Sequence, residues 1–150
     1  MIEKKERNNK SKVLTAVKKD GVALAFASEE MRDDREVVLA AIKSNGYALR
    51  FASEEMRDDR EVVLAAINNK PLALGNASER LQDDFEVVMT AVNTHGPALC
   101  DASERLRDDY DIVLAAVSDD MGALCFASER LRKHPELLKI KNYNKRLAEF

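Results

Sequence analysis

Four aspartate pairs, Asp33/Asp34, Asp58/Asp59, Asp83/Asp84 and Asp108/Asp109, recur at intervals of 25 residues. Adjacent carboxylates serve general acid–base chemistry and cation binding. The same interval carries Ser28, Ser53, Ser78, Ser103 and Ser128, and beside them Glu29, Glu54, Glu79, Glu104 and Glu129. A serine nucleophile needs a base, and no His or Lys shares these repeat positions. An active site is normally single, so several equally spaced copies fit a structural duty better. Asp33, Asp58, Asp83 and Asp108 read as helix N-caps, their side chains accepting from free N–H groups and their charge meeting the positive end of the helix dipole. Each serine follows a leucine by four residues, so its hydroxyl is expected to bond back to that leucine's carbonyl. The glutamates stand three residues before Arg32, Arg57, Gln82, Arg107 and Arg132. That spacing suits a solvated, partly paired face, with an acidic ridge for a basic partner as the sharper alternative.

Cys100 and Cys125 lie one interval apart. Stacked helices would hold their Cα atoms ~8–10 Å apart, beyond the ~7 Å that a disulfide tolerates. With no Cys-x-x-Cys and no Cys/His cluster, a zinc site is not expected, and both read as small, semi-buried side chains. His95 and His134 fall at loop positions and read as surface residues. No catalytic, cofactor-binding or metal-ligating residue emerges, so neither an enzyme nor a cofactor is expected.

What must position these groups is a tandem repeat. The string FASEEMRDDREVVLAAI occupies residues 26–42 and returns unchanged at 51–67. Without gaps the chain divides into units 12–36, 37–61, 62–86, 87–111 and 112–136. In each, a first helix runs through a stretch such as Val37–Ile42, apolar over about half its circumference. A strand is the rival reading of VVLAAI, opposed by the capping pattern (Asp33 with Glu36 three residues on) and the Ala pairs. The helix should end at Gly46, or at Gly21 and Gly96 in other copies, as a left-handed cap. A second helix then follows, with Ala48, Leu49, Ala52, Ser53 and Met56 on one face. Ala16, Ala41, Ala66, Ala91 and Ala116 allow close helix approach.

A two-helix unit cannot bury such faces alone, so neighbours must cover them. The expected fold is all-α, a short α-solenoid of five 25-residue helix-hairpin repeats, right-handed by analogy with other helical stacks. Residues 1–11 form a polar N-terminal segment. Residues 137–150, with Leu137, Leu138, Ile140, Tyr143, Leu147 and Phe150 at helical spacing, form a C-terminal capping helix.

Of the 150 residues, 45% are apolar and 34% charged, which suits a folded chain. The net charge of −3 splits into +3 for residues 1–12, +2 for 135–150 and so −8 between them. An acidic body argues against nucleic acid. The longest apolar run, about six residues at Val37–Ile42, is far short of a membrane span. The polar start shows no secretory signal, and a reducing cytoplasm, of the producing cell or of a host, is the expected compartment.

The string G-x-A-L-x-F-A-S-x-x-L/M-R-x-D-x-E-V-V-L-A-A-V is carried in one copy by Gly46, Ala48, Leu49, Phe51, Ala52, Ser53, Met56, Arg57, Asp59, Val62, Val63, Leu64, Ala65 and Ala66. It resembles an uncharacterised tandem α-helical repeat family, domain of unknown function 4116, over residues 13–132. The resemblance implies tandem repeats, often inside larger proteins, including effector-like proteins of intracellular bacteria, and implies no activity or cofactor. Asn76 and Asp101 at the Phe position, Pro71, and Lys133-His134 in place of Asp-Asp depart from the pattern.

Repeat proteins keep their core alike and vary the ligand face. The varied positions here are Val22/Tyr47/Leu72/Pro97/Gly122, Ala25/Arg50/Gly75/Cys100/Cys125, Phe26/Phe51/Asn76/Asp101/Phe126 and Arg35/Arg60/Phe85/Tyr110/Pro135. The expected function is a non-catalytic protein–protein interaction scaffold of unknown partner, using Tyr47, Arg50, Phe26, Phe51, Phe126 and an exposed aromatic pair, Phe85 and Tyr110. Neutral drift of a surface edge is the plain alternative, and a structural spacer within a larger protein the rival function.

Overall fold

The computed structural model describes residue 2 and residues 4–140. Those residues form helical segments joined by short turns and extended residues, without a strand, and the fold is an all-α repeat. Each unit holds three helical segments. A ten-residue α-helix comes first: α1 Lys10–Lys19, α3 Arg35–Ser44, α5 Arg60–Asn69, α7 Phe85–Thr94 and α9 Tyr110–Asp119. A six-residue 3-10 helix follows: Gly21–Phe26, Gly46–Phe51, Pro71–Asn76, Gly96–Asp101 and Met121–Phe126. A short α-helix closes the unit: α2 Glu29–Asp33, α4 Glu54–Arg57, α6 Glu79–Gln82, α8 Glu104–Arg107 and α10 Glu129–Arg132.

The expected second helix of each hairpin is therefore broken into a 3-10 segment and a short α-helix. Ala52 and Ser53 are both extended, at ψ 162° and 165°. Ser53 Oγ accepts from the Met56 N–H at 3.1 Å, capping α4. A hydroxyl that captures an N–H three residues on offers the backbone an alternative to continuing the previous helix. The serine back-bond to leucine is thus replaced by an N-cap in all five copies.

The aspartate register also shifts by one. Asp34, not Asp33, caps α3, accepting from Glu36 N and Val37 N. Asp59 and Asp109 do the same for α5 and α9, and Asp84 caps α7 by accepting from Val87 N. The first aspartate of each pair is left for another task.

Val37, Val38, Ala41 and Ile42 of α3 are buried, and Leu39 is half-buried. Successive long helices pack side by side, successive 3-10 helices form a parallel row, and the layers meet over Ala48, Leu49 and their equivalents. Burying each leucine contributes about 1.5–3 kcal/mol, and no unit has enough such side chains to stand alone.

The glycines are not left-handed caps, since none has a positive φ. They permit close approach between units. A Cβ on Gly46 would lie 2.6 Å from the Ala66 carbonyl oxygen, and one on Gly96 2.2 Å from that of Ala116. Here the next unit's long helix presses its backbone onto the 3-10 helix. Its C-terminal polar side chain then accepts from the glycine N–H: Asn69 from Gly46 at 2.8 Å, Asp119 from Gly96 at 2.7 Å. Pro71 offers no N–H, and the matching Thr94 hydroxyl turns to Thr90 O instead.

Asn9 caps α1, and Ser28 bonds Arg7 O and Asn8 Oδ1. Residues 7–9 thus stand where Arg-Asp-Asp stands in later units. At the other end residues 135–140 are helical, Leu137 is buried, and Leu138 and Ile140 pack on the core. The rest of the expected capping helix, residues 141–150, lies outside the described residues. Cys100 and Cys125 are exposed free thiols rather than semi-buried. His95 and His134 are half-buried, not free surface residues.

Candidate functional site

Each boundary between units is closed by one repeated cluster. The serine N–H of one unit donates to a carbonyl of the unit before: Ser53 to Arg32 O, Ser78 to Arg57 O, Ser103 to Gln82 O, each within 2.9–3.0 Å. The serine hydroxyl donates to the first aspartate of the preceding pair: Ser53 to Asp33, Ser78 to Asp58, Ser103 to Asp83, Ser128 to Asp108. One hydroxyl therefore caps its own helix and ties it to its neighbour.

Three of these aspartates also hold a guanidinium. Arg80 Nε reaches Asp58 Oδ1 at 3.0 Å while Arg80 Nη2 donates to Asp58 O at 2.7 Å. Arg105 on Asp83 and Arg130 on Asp108 repeat this geometry. The serine first and the arginine second hold the Asp58, Asp83 and Asp108 carboxyls below the ordinary carboxylate range. In the same column the first two units carry Glu30 and Glu55. Asp33 keeps its serine and, among the described residues, has no cation on it. It is exposed, whereas Asp58, Asp83 and Asp108 are half-buried.

Grooves open between successive short helices. The one between α2 and α4, about 910 Å³, is lined by Glu29, Glu30, Asp33, Glu54 and Glu55 against Arg32 and Arg57. The next, about 560 Å³, has Glu54, Asp58 and Glu79 against Arg57 and Arg80. The Glu–Arg pairs expected from sequence exist but are long, 3.9 Å for Glu29–Arg32 and 4.0 Å for Glu54–Arg57.

A second ladder crosses the units at the long-helix starts. Lys10 reaches Asp34 at 2.7 Å, Arg35 reaches Asp59 at 3.3 Å and Arg60 reaches Asp84 at 3.7 Å. Burial pushes Asp34 up, and Lys10 with the Val37 and Glu36 N–H groups outweighs it, so the net direction is down. Phe85 and Tyr110 continue this column without charge. Phe85 is exposed, while Tyr110 is half-buried with its ring 5.0 Å from that of His134. The expected exposed pair is thus one exposed ring and one that packs at a tilt of 55° against histidine.

The other predicted residues stand on the 3-10 row. Phe26 and Tyr47 are more than a third exposed, Arg50 is exposed, and Phe51 and Phe126 are half-buried. The Arg50 guanidinium lies 4.9 Å over the Phe51 ring, a cation–π contact. Midway along the row aromatic gives way to Asn76 and Asp101. Asp101 takes the space over Gly75, where a Cβ would meet its carboxylate at 2.8 Å. Burial pushes Asp101 up, partly offset by hydrogen bonds from Cys100 and the Gly75 N–H. Among the described residues no group of three His, Cys, Asp or Glu side chains could hold a metal ion. Nor is any helix long and apolar enough to cross a membrane.

Sequence reasoning missed the alternation of Glu30 and Glu55 with Arg80, Arg105 and Arg130. Its signal was visible as a sign change in one column of an otherwise repeated pattern.

Residues 9–57, 59–104 and 84–132 each match the family described as domain of unknown function (DUF4116), each match spanning about two units. No curated protein and no solved structure matches the chain.

Proposed function

The chain belongs to the DUF4116 family of tandem repeats, and from that premise we propose that it is a non-catalytic protein-binding scaffold. One observation carries the proposal. The recurring serines and first aspartates are hydrogen-bonded to each other across unit boundaries, while Phe26, Tyr47 and Arg50, at positions that change between units, stand on an exposed row. On that row Phe26, Tyr47 and Arg50 stand on 3-10 helices that pack against one another. Exposed aromatics and arginine on a pre-ordered surface are the side chains that anchor protein interfaces. The partner is a protein and the working compartment the cytoplasm.

The test is affinity capture from the native cell with wild type and with the double variant Arg50→Ala/Phe51→Ala. Both should fold, the variant melting somewhat lower because Phe51 packs partly on the core, and the variant should lose the captured protein. A partner retained equally by the double variant places the binding face elsewhere.

A further inference from the structure

We infer that the groove between α2 and α4 is a receptor for an arginine side chain of a partner segment, because Asp33 presents the site that Asp58, Asp83 and Asp108 fill from within the chain. Those three occupied copies define the ligand chemistry. In each, a guanidinium puts Nε on the carboxylate and Nη2 on the aspartate's own carbonyl. That two-point contact needs a planar fork rather than a point charge.

At Asp33 the serine contact that orients the carboxylate is present. The guanidinium is not, because its column position is Glu55. The substitution does more than remove a cation. It leaves five carboxylates and two guanidiniums lining this groove of about 910 Å³, where the next has three and two. That excess of negative charge favours an incoming cation. The preceding boundary is different, since uncharged Asn8 takes the aspartate's place against Ser28. Asp33 is thus the one aspartate of this column, among the described residues, with its serine partner and no arginine.

The occupant is an exposed peptide segment bearing arginine. This site is separate from the Phe26–Tyr47–Arg50 row and does not depend on it, since neither Arg50 nor Phe51 lines the groove.

The probe is a labelled peptide, Gly-Arg-Ser-Arg-Gly, and its lysine counterpart, titrated into the full chain with backbone amide NMR and fluorescence polarisation as readouts. The arginine peptide should shift the amides of Asp33, Ser53 and Glu55, and should bind more tightly than the lysine peptide. Glu55→Arg fills the site from within, as Arg80 does, and should weaken binding about tenfold or more. Glu86→Arg makes the same charge change on α7 and should stay within about twofold of wild type. Asp33→Asn should also lose binding while folding normally, because Asn8 already makes this contact to Ser28. Arg50→Ala/Phe51→Ala should bind the peptide like wild type, which separates this inference from the scaffold reading. Equal binding by Glu55→Arg and wild type, or equal losses in Glu55→Arg and Glu86→Arg, would overturn it.

Discussion

Ser78 and Asp58 sit twenty residues apart in sequence and in hydrogen-bond contact across a repeat boundary, with the same Ser78 oxygen accepting from the Leu81 N–H. A single hydroxyl thus joins local helix capping to the stacking of units. Local and inter-unit order are coupled at that atom.

Replacing Ser78 with Ala removes a cap and an inter-unit bond together. The expected cost is about 1–3 kcal/mol, the sum of a lost N-cap and a lost hydrogen bond. Urea unfolding monitored by circular dichroism measures it. A loss no larger than that of an exposed serine such as Ser11 (Ser11→Ala) counts against the dual role.

Gly46→Ala should destabilise by about 3 kcal/mol, because the new methyl meets a backbone carbonyl at 2.6 Å that cannot swing aside. Gly122→Ala meets only the Asp120 side chain at 3.0 Å and should change stability by less than about 1 kcal/mol. The contrast tests close approach against backbone conformation. If both were left-handed caps, both would suffer alike.

Acid should loosen the stack at its boundaries. Asp58, Asp83 and Asp108 have folded-state pKa values below their ordinary 3.8. A depressed carboxyl contributes stability that is complete above its unfolded value and is lost as pH falls through the folded value. The loss therefore begins below about pH 4. In the triple variant with Asn at these three positions the stability curve should be flatter between pH 5 and 2 than in wild type. A curve of unchanged slope would show that the boundary carboxylates do not drive acid unfolding.

Asp101 should behave in the opposite sense. Burial raises its pKa, so its charge costs stability above the folded value, and the cost disappears as pH falls through it. Asp101→Asn, which reproduces the Asn76 found one unit earlier, should gain roughly 0.5 kcal/mol at pH 7 and lose that gain toward pH 4. A destabilised variant at pH 7 would mean that the Gly75 N–H bond outweighs the burial cost.

The period of 25 residues, the apolar stripe of Val37, Val38, Ala41 and Ile42, and the need for neighbours to cover it were legible in the sequence. Such features repeat along the chain and obey local geometry. The exact helix that Ser53 begins was not legible. At Ala52–Ser53 apolar periodicity continues through a break, and only the packing of the 3-10 row shows that the chain turns there. The same holds for Gly46, whose lack of a side chain answers to the Ala66 carbonyl of the next unit rather than to its own φ. Asp33 and Asp34 look alike in sequence. Tertiary structure gave one to its own helix and the other to a serine twenty residues on, because a carboxylate's duty is set by which donors come within hydrogen-bond reach. The open arginine position at Asp33 followed only once the occupied copies at Asp58, Asp83 and Asp108 showed what belongs there.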